Sequence, residues 1–228
     1  MAETIWMTRT LPAAHKSAQA FAHLGLAAAI APLLLVSPPE EMPAMPPQEA
    51  LLIFTSANGL SAFCQLTDDR HWPVVTVGAE TAREARKAGF ENVSSADGTS
   101  DDVTALVKAS VNLSTPIILC AGVHVRGSIT QDLRAAGYQA RRDLYYRSAP
   151  VETLPKIDLS KLNYLALYSP LAAKTLASFK PNLSTVTILS ISAATDAALG
   201  DLKAQSRLIA KAPNEAAVLD LLAPQQEV

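Results

Sequence analysis

Short apolar runs alternate with helical patterns along this 228-residue chain, and this alternation restricts its fold more than any other feature. Runs such as 50–56, 74–78, 116–120, 164–169 and 185–190 have the length of buried strands, and each precedes a segment with helical spacing of apolar residues. A strand–helix repeat of this kind is typical of an α/β fold with a mostly parallel sheet. The length suffices for one large domain or two small ones.

Capping residues predict where individual elements begin. The pattern predicts a helix over 11–24 that Thr10 caps. The apolar run AAAIAPLLLV (27–36) is predicted to be a second, buried strand. Further along, Thr99 and Asp102 have the spacing of a capping box and predict another helix start.

Two consecutive tyrosines lie near the end of a segment, 139–148, that alternates like an exposed strand. Alternation predicts that Tyr145 and Tyr146 point to opposite faces of the sheet. One packed and one surface tyrosine is the simpler interpretation. A tyrosine hydroxyl in a cleft could instead donate a proton or orient a leaving hydroxyl.

Composition excludes several classes of protein. With 49% hydrophobic and 18% charged residues the chain is not disordered, and a net charge of −2 argues against a general nucleic-acid binder. Cys64 and Cys120 have apolar neighbours and no metal-ligand spacing, which favours reduced thiols over a disulfide or a zinc site. The longest apolar stretch, 20–36, is too short and too interrupted to span a bilayer, and no signal peptide is recognisable. We therefore expect a cytoplasmic protein, and a monomer because exposed apolar runs are few.

An internal repeat relates the two halves of the chain. The segment IFTSANGLSAF (53–63) resembles ALYSPLA (166–172), since each is a buried strand that ends in serine at the entry to a helix. Each is followed, at nearly the same distance, by a second strand–turn–helix, VGAETA (77–82) and ISAATDA (191–197). The matching order and spacing predict a duplicated α/β unit, with a cleft between two similar domains.

Five hydroxyl residues share one kind of position, where the carboxyl end of a strand meets a helix N-terminus. Ligands of open α/β sheets bind there, and free backbone N–H groups attract anions. The sequence therefore predicts a binding site for a carboxylate or phosphate, although simple helix capping accounts equally for any single one of them. The five are Thr55, Ser56, Thr81, Ser169 and Thr195.

Two arginines lie in comparable places. Arg9 follows the first strand, and Arg126 lies in a loop before a helix. Each could pair with a carboxylate of a ligand. A solvated arginine is the alternative for both.

Seven segments together carry a family resemblance that covers essentially the whole chain. They are Thr8-Arg9-Thr10, IFTSANGLSAF (53–63), VTVGAETAREARKAGF (75–90), AGVHVRGSITQDLRAAGY (121–138), LYYRSAP (144–150), Tyr168-Ser169-Pro170 and ISAAT (191–195). In order and spacing these segments resemble the uroporphyrinogen-III synthase family.

The resemblance implies two α/β domains joined by a two-stranded linker, with a cleft between them. Carried onto this sequence, one domain comprises 1–35 plus 150–228 and the other 38–144. The crossovers would lie near 35–37 and 145–149.

The resemblance also implies an activity in tetrapyrrole and heme biosynthesis. Members of the family cyclise hydroxymethylbilane, a linear tetrapyrrole with eight carboxylates, to uroporphyrinogen III with inversion of ring D and loss of water. No cofactor or metal is implied. Tyr146 matches the family tyrosine that assists departure of the terminal hydroxyl, and the five strand-end hydroxyls match residues that line the cleft.

Two other functions remain open at this stage. The chain could be a non-catalytic two-domain binder of a small anionic ligand, or a homologue that keeps the fold and has lost activity. A product-isomer assay separates the enzyme from the other two.

Overall fold

The computed structural model describes residues 3–123 and 127–222. Contacts divide the chain into two units, which we call unit 1 (Met1–Leu35 and Ala149–Val228) and unit 2 (Val36–Ser148). The strands are β1 (Thr4–Met7), β2 (Ala27–Ile30), β3 (Leu34–Ser37), β4 (Leu51–Phe54), β5 (Val74–Thr76), β6 (Val93–Ser95), β7 (Ile117–Gly122), β8 (Ala140–Pro150), β9 (Tyr164–Leu167), β10 (Leu183–Ser190) and β11 (Ala204–Ile209). The α-helices are α1 (Ala13–Ala22), α2 (Ala57–Cys64), α3 (Ala79–Lys87), α4 (Ser100–Ser110), α5 (Ile129–Ala135), α6 (Pro170–Ser178), α7 (Ala193–Ala197) and α8 (Glu215–Leu219).

Unit 1 is built on a sheet with the strand order β11-β10-β9-β1-β2, whose strand pairs are parallel. Side chains alternate between its two faces, so that Trp6 of β1 packs with α6 and its neighbours Ile5 and Met7 pack with α1 and α8. Helices therefore cover both faces of the sheet, as a sheet with parallel strands requires.

Unit 2 has the strand order β3-β8-β7-β4-β5-β6, with parallel pairs from β8 to β6. Residues of β4 again divide between two cores: Phe54 packs with α2 and α3, and Ile53 packs with α4. The chain crosses between the units within β3 and β8, which are neighbours in this sheet.

The two sheets share one arrangement that the chain enters at different points. Unit 2 runs from β4 through β8 without interruption, and its order β8-β7-β4-β5-β6 corresponds to β2-β1-β9-β10-β11 of unit 1. Unit 1 is therefore a circularly permuted counterpart of unit 2, in which the N-terminal β1–α1–β2 completes a sheet begun by the C-terminal half. The α/β class with parallel sheets and the duplication predicted from the repeat are confirmed.

Two predicted element boundaries are wrong, and proline is the reason in both. Thr10 does not cap the first helix, since α1 begins at Ala13 with Pro12 as its N-cap residue. A residue before proline is disfavoured in helical conformation, so the helix starts after Pro12. The predicted buried strand over 27–36 divides into β2 and β3 around Pro32, and β3 is mostly exposed.

The predicted capping box is confirmed at the start of α4. The backbone N–H of Thr99 donates to the Asp102 carboxylate at 2.6 Å. Of the helices in the described ranges, none combines the length and the apolar character that a membrane span needs.

Candidate functional site

Ser56 begins the helix that follows β4 in unit 2. It is the N-cap residue of α2, with extended backbone, and its Oγ accepts a hydrogen bond from the backbone N–H of Gly59 at 3.3 Å. This bond satisfies one of the free amides at the helix start. The hydroxyl proton of Ser56 is still able to donate.

Tyr146 is the second half of a hydroxyl pair at this point. Its hydroxyl lies 3.2 Å from Ser56 Oγ, and either oxygen could be the donor. The ring of Tyr146 is partly exposed, on β8 beside Gly122, the last residue of β7. The strand ends therefore hold together a phenol and an alcohol that the sequence separates by 90 residues.

A β-bulge places the two consecutive tyrosines on one side of the sheet. In the pairing of β7 with β8, Ala121 lies opposite Leu144 but Gly122 lies opposite Tyr146, so Tyr145 is an extra residue. The ring centre of Tyr145 lies 5.4 Å from the ring centre of Phe63 in α2, and the hydroxyl of Tyr146 contacts Ser56, the N-cap residue of the same helix. The predicted placement of one ring on each face is wrong, because a bulge interrupts the alternation on which it rested.

The neighbouring hydroxyls of unit 2 are less exposed. Thr55 directly follows β4 and is half-buried, and Thr81 lies in the first turn of α3 with 9% of its surface exposed. Arg126, the other residue predicted to bind substrate in this unit, lies outside the described residues.

Ser169 occupies in unit 1 the place that Ser56 has in unit 2. Its Oγ accepts from the backbone N–H of Ala172 at 3.1 Å, and its backbone is extended in the same way. The second turn of this unit differs from its counterpart. Thr195 is fully buried, and its hydroxyl lies 3.0 Å from the hydroxyl of Ser192, the N-cap residue of α7.

Arg9 takes part in a polar cluster within unit 1. Its guanidinium lies 2.6 Å from a carboxylate oxygen of Glu215 and 4.3 Å from the ring centre of Tyr168, while Ser17 binds both Arg9 and Glu215. The Tyr168 hydroxyl donates to the other Glu215 oxygen at 2.9 Å. Burial, with the nearby carboxylate as a second cause, raises the pKa of Tyr168, so this hydroxyl stays protonated.

Sequence reasoning missed Tyr168 and Glu215 as members of this cluster. A signal was present for each: Tyr168 stands directly before the capping Ser169, and Glu215 is the first residue of α8, where the helix dipole favours a carboxylate. What the sequence did not supply is the contact between the two chain ends, since Arg9 and Glu215 are 206 residues apart.

The chemistry available here is that of hydroxyls and amides. Residues 3–123 and 127–222 contain no group of three His, Cys, Asp or Glu side chains arranged to hold a metal ion. Capped helix starts supply N–H groups for anions, and the Ser56–Tyr146 pair supplies a proton donor with a hydrogen-bonding partner. Such a site suits binding of a polycarboxylate and protonation of a leaving oxygen.

Comparisons with known proteins give one family match and several similar structures. A family model described as uroporphyrinogen-III synthase HemD matches residues 15–220. The structure of a uroporphyrinogen-III synthetase from Helicobacter pylori is similar with a TM-score of 0.65 and 18% identity, over 97% of this chain and 98% of that one. A mutant uroporphyrinogen III synthase from Thermus thermophilus is 15% identical over 96% of each chain, with a TM-score of 0.47. No curated protein sequence matches significantly.

Proposed function

The chain belongs to the uroporphyrinogen-III synthase family, and from that membership we propose that Tyr146 and the strand-end hydroxyls are the groups with which it converts its substrate. The reaction is the cyclisation of hydroxymethylbilane to uroporphyrinogen III, with ring D inverted and water lost. The enzyme is a lyase that uses no cofactor.

The observation that carries the proposal is the 3.2 Å contact between Ser56 Oγ and the Tyr146 hydroxyl. In the proposed step, Tyr146 donates its proton to the terminal hydroxyl of the substrate, which leaves as water and gives an azafulvenium cation. As negative charge develops on the phenol oxygen, Ser56 donates a hydrogen bond to it. The substituted α carbon of ring D attacks this cation and gives a spiro intermediate. The bond from that carbon to the methylene bridge of ring C then breaks, and the bridge bonds to the free α carbon of ring D, which closes the ring with ring D inverted. The proton lost from that α carbon on re-aromatisation restores Tyr146.

Binding is proposed to rest on helix N-termini in both units. Thr55, Ser56 and Thr81 in unit 2, with Ser169 and Thr195 in unit 1, are the proposed substrate contacts or supports of those contacts. Backbone N–H groups beside them suit a substrate with eight carboxylates, which explains why a chain of net charge −2 can bind it.

Two arginines complete the proposed binding groups. Arg126 is proposed to pair with a substrate carboxylate of its own. Arg9 is proposed to do so in competition with Glu215, which already occupies its guanidinium.

We further infer that the enzyme acts as a cytoplasmic monomer. The free thiols of Cys64 and Cys120 are consistent with a reducing compartment. Size-exclusion chromatography with light scattering tests the oligomeric state, and a dimer mass would contradict it.

The experiment that tests the function is a product-isomer assay. Purified protein is given hydroxymethylbilane, and the products are oxidised and separated as type I and type III porphyrins. The expected product is type III. Type I alone, formed at the rate seen without protein, would indicate a binder or an inactive homologue.

A further inference from the structure

We propose that Gly122 is a positioning residue for Tyr146, because only the lack of a side chain there lets the phenol lie where it meets Ser56. The inference rests on the role proposed above for Tyr146. It adds a residue whose part in the reaction is steric and is exerted through another side chain.

The space above Gly122 is filled by the hydroxyl-bearing end of the Tyr146 ring. A Cβ atom at Gly122 would lie 2.6 Å from Cζ, 2.7 Å from Cε2 and 3.1 Å from Cε1 of that ring. Carbon atoms in ordinary contact are about 3.5–4.0 Å apart. Any side chain at residue 122 would therefore push the phenol oxygen away by roughly 1 Å.

The backbone gives no other reason for glycine at this place. Gly127 and Gly137 have φ of +94° and +91°, a region that side chains rarely adopt, whereas the φ of Gly122 is outside the positive range. Glycine is therefore required at residue 122 for steric reasons, because the Tyr146 ring occupies the space that a side chain would fill.

Tyr145 holds the strand so that Tyr146 faces Gly122. Its ring is 1% exposed and is packed against Phe63 inside unit 2, and the bulge at Tyr145 sets Tyr146 opposite Gly122. The first tyrosine fixes the strand in the core, and the second is consequently presented at the strand ends.

A second close approach brings Ser56 to the same point. A Cβ atom at Gly59 would lie 2.7 Å from the carbonyl oxygen of Cys120 on β7, so α2 lies as near to β7 as a glycine permits. The cap residue of α2 is Ser56. Two glycines thus set the two partners of one hydrogen bond, and an error of 1 Å in such a contact can lower a rate about 10²-fold.

The test is Gly122→Ala, with kcat and KM for hydroxymethylbilane measured separately. The expected result is a kcat at least tenfold lower and a KM within about threefold of the unchanged protein, since carboxylate binding is untouched. Val107→Ala, a truncation on the buried face of α4, serves as a control that is expected to lose thermal stability but to keep its kcat. Tyr145→Phe, which keeps the buried ring, should also keep it.

A double-mutant cycle separates positioning from general damage. In a Tyr146→Phe background, Gly122→Ala should cause no further fall in kcat, because the displaced hydroxyl is already absent. An equal fall in both backgrounds, or an unchanged kcat for Gly122→Ala alone, overturns the inference. If Tyr146→Phe itself is fully active, the role proposed for Tyr146 fails instead.

A second double variant tests whether Gly122→Ala destabilises the fold through its contact with the Tyr146 ring. If Gly122→Ala melts too low to assay, Gly122→Ala combined with Tyr146→Ala should recover the melting temperature of Tyr146→Ala, because the clashing ring is gone. Failure to recover it shows that residue 122 conflicts with something other than Tyr146, and overturns the inference.

Discussion

Units 1 and 2 share a strand order and capped helix starts, yet their strand ends carry different chemistry. In unit 2 a tyrosine on β8 meets the cap of α2. In unit 1 the corresponding strand, β2, and the residues that follow it are apolar, and the polar group is the Arg9–Glu215 ion pair. The shared architecture thus provides serine-capped helix N-termini in both units, whereas we assign the proton donor to unit 2 alone.

The largest expected difference is in kcat, between variants of one tyrosine in each unit. Tyr146→Phe should lower kcat about 10²-fold or more, the usual contribution of a positioned general acid. Tyr168→Phe in unit 1 should keep kcat within about threefold. It should lower the free energy of unfolding by about 1.5–3 kcal/mol, because a hydrogen bond to the charged Glu215 is lost. Steady-state kinetics and urea unfolding measure the two effects, and equal losses of kcat would abolish the distinction between the units.

The two capping serines occupy equivalent positions in the two units, so their variants can be compared more directly than those of the tyrosines. Ser56→Ala and Ser169→Ala each remove an N-cap bond and should each cost about 1 kcal/mol of stability. Only Ser56→Ala should also lower kcat, by about tenfold, since only Ser56 contacts the phenol of Tyr146. A fall in kcat for Ser169→Ala of the same size would mean that unit 1 takes part in the chemical step.

The ion pair of unit 1 can be opened from either side. Glu215→Gln should lower KM about threefold by releasing Arg9 to the substrate, and Arg9→Met should raise it by a similar factor. Both groups are about 30% exposed, so the effect is that of a partly solvated pair. An unchanged KM in both variants would assign the pair a purely structural role, in which it joins the segment between β1 and α1 to α8.

The smallest effect expected is the pH dependence of stability that the His71–Asp69 pair of unit 2 contributes. A hydrogen bond to Asp69 raises the pKa of His71, and the same bond lowers the pKa of Asp69. A raised histidine pKa stabilises the fold below the unfolded value of about 6.5 and ceases to do so as pH rises through the folded pKa.

Melting temperatures of the unchanged protein and of Asp69→Asn test this dependence. Their difference should be larger at pH 6 than at pH 9. A difference that does not vary with pH between those values would show that the pair does not contribute through protonation.

The regular strand–helix alternation allowed much of the fold to be predicted. Buried strands such as β4, β7 and β9, and the serine caps of α2 and α6, follow from local patterns, because period and capping are local properties. The predictions at Thr10 and at 27–36 are wrong because α1 begins only after Pro12 and because Pro32 separates β2 from β3. The short strand β6 was missed, since its three residues, Val93–Ser95, carry no distinct apolar run.

The candidate site was only partly predictable, because its contacts join distant parts of the chain. The hydroxyls at helix starts could be found from the sequence, since the repeat marks them. The bulge at Tyr145, the space above Gly122 and the pairing of Arg9 with Glu215 depend on strand register and on the permuted connection of unit 1. No local pattern encodes those features.

A crystal structure of the enzyme with bound uroporphyrinogen III tests the reactive pair most directly. We predict that the Tyr146 hydroxyl lies within about 3.5 Å of Ser56 Oγ and of the meso carbon that derives from the hydroxymethyl group of the substrate. A tetrapyrrole bound with that carbon far from Tyr146, and nearer to the Arg9–Glu215 cluster of unit 1, would contradict the assignment.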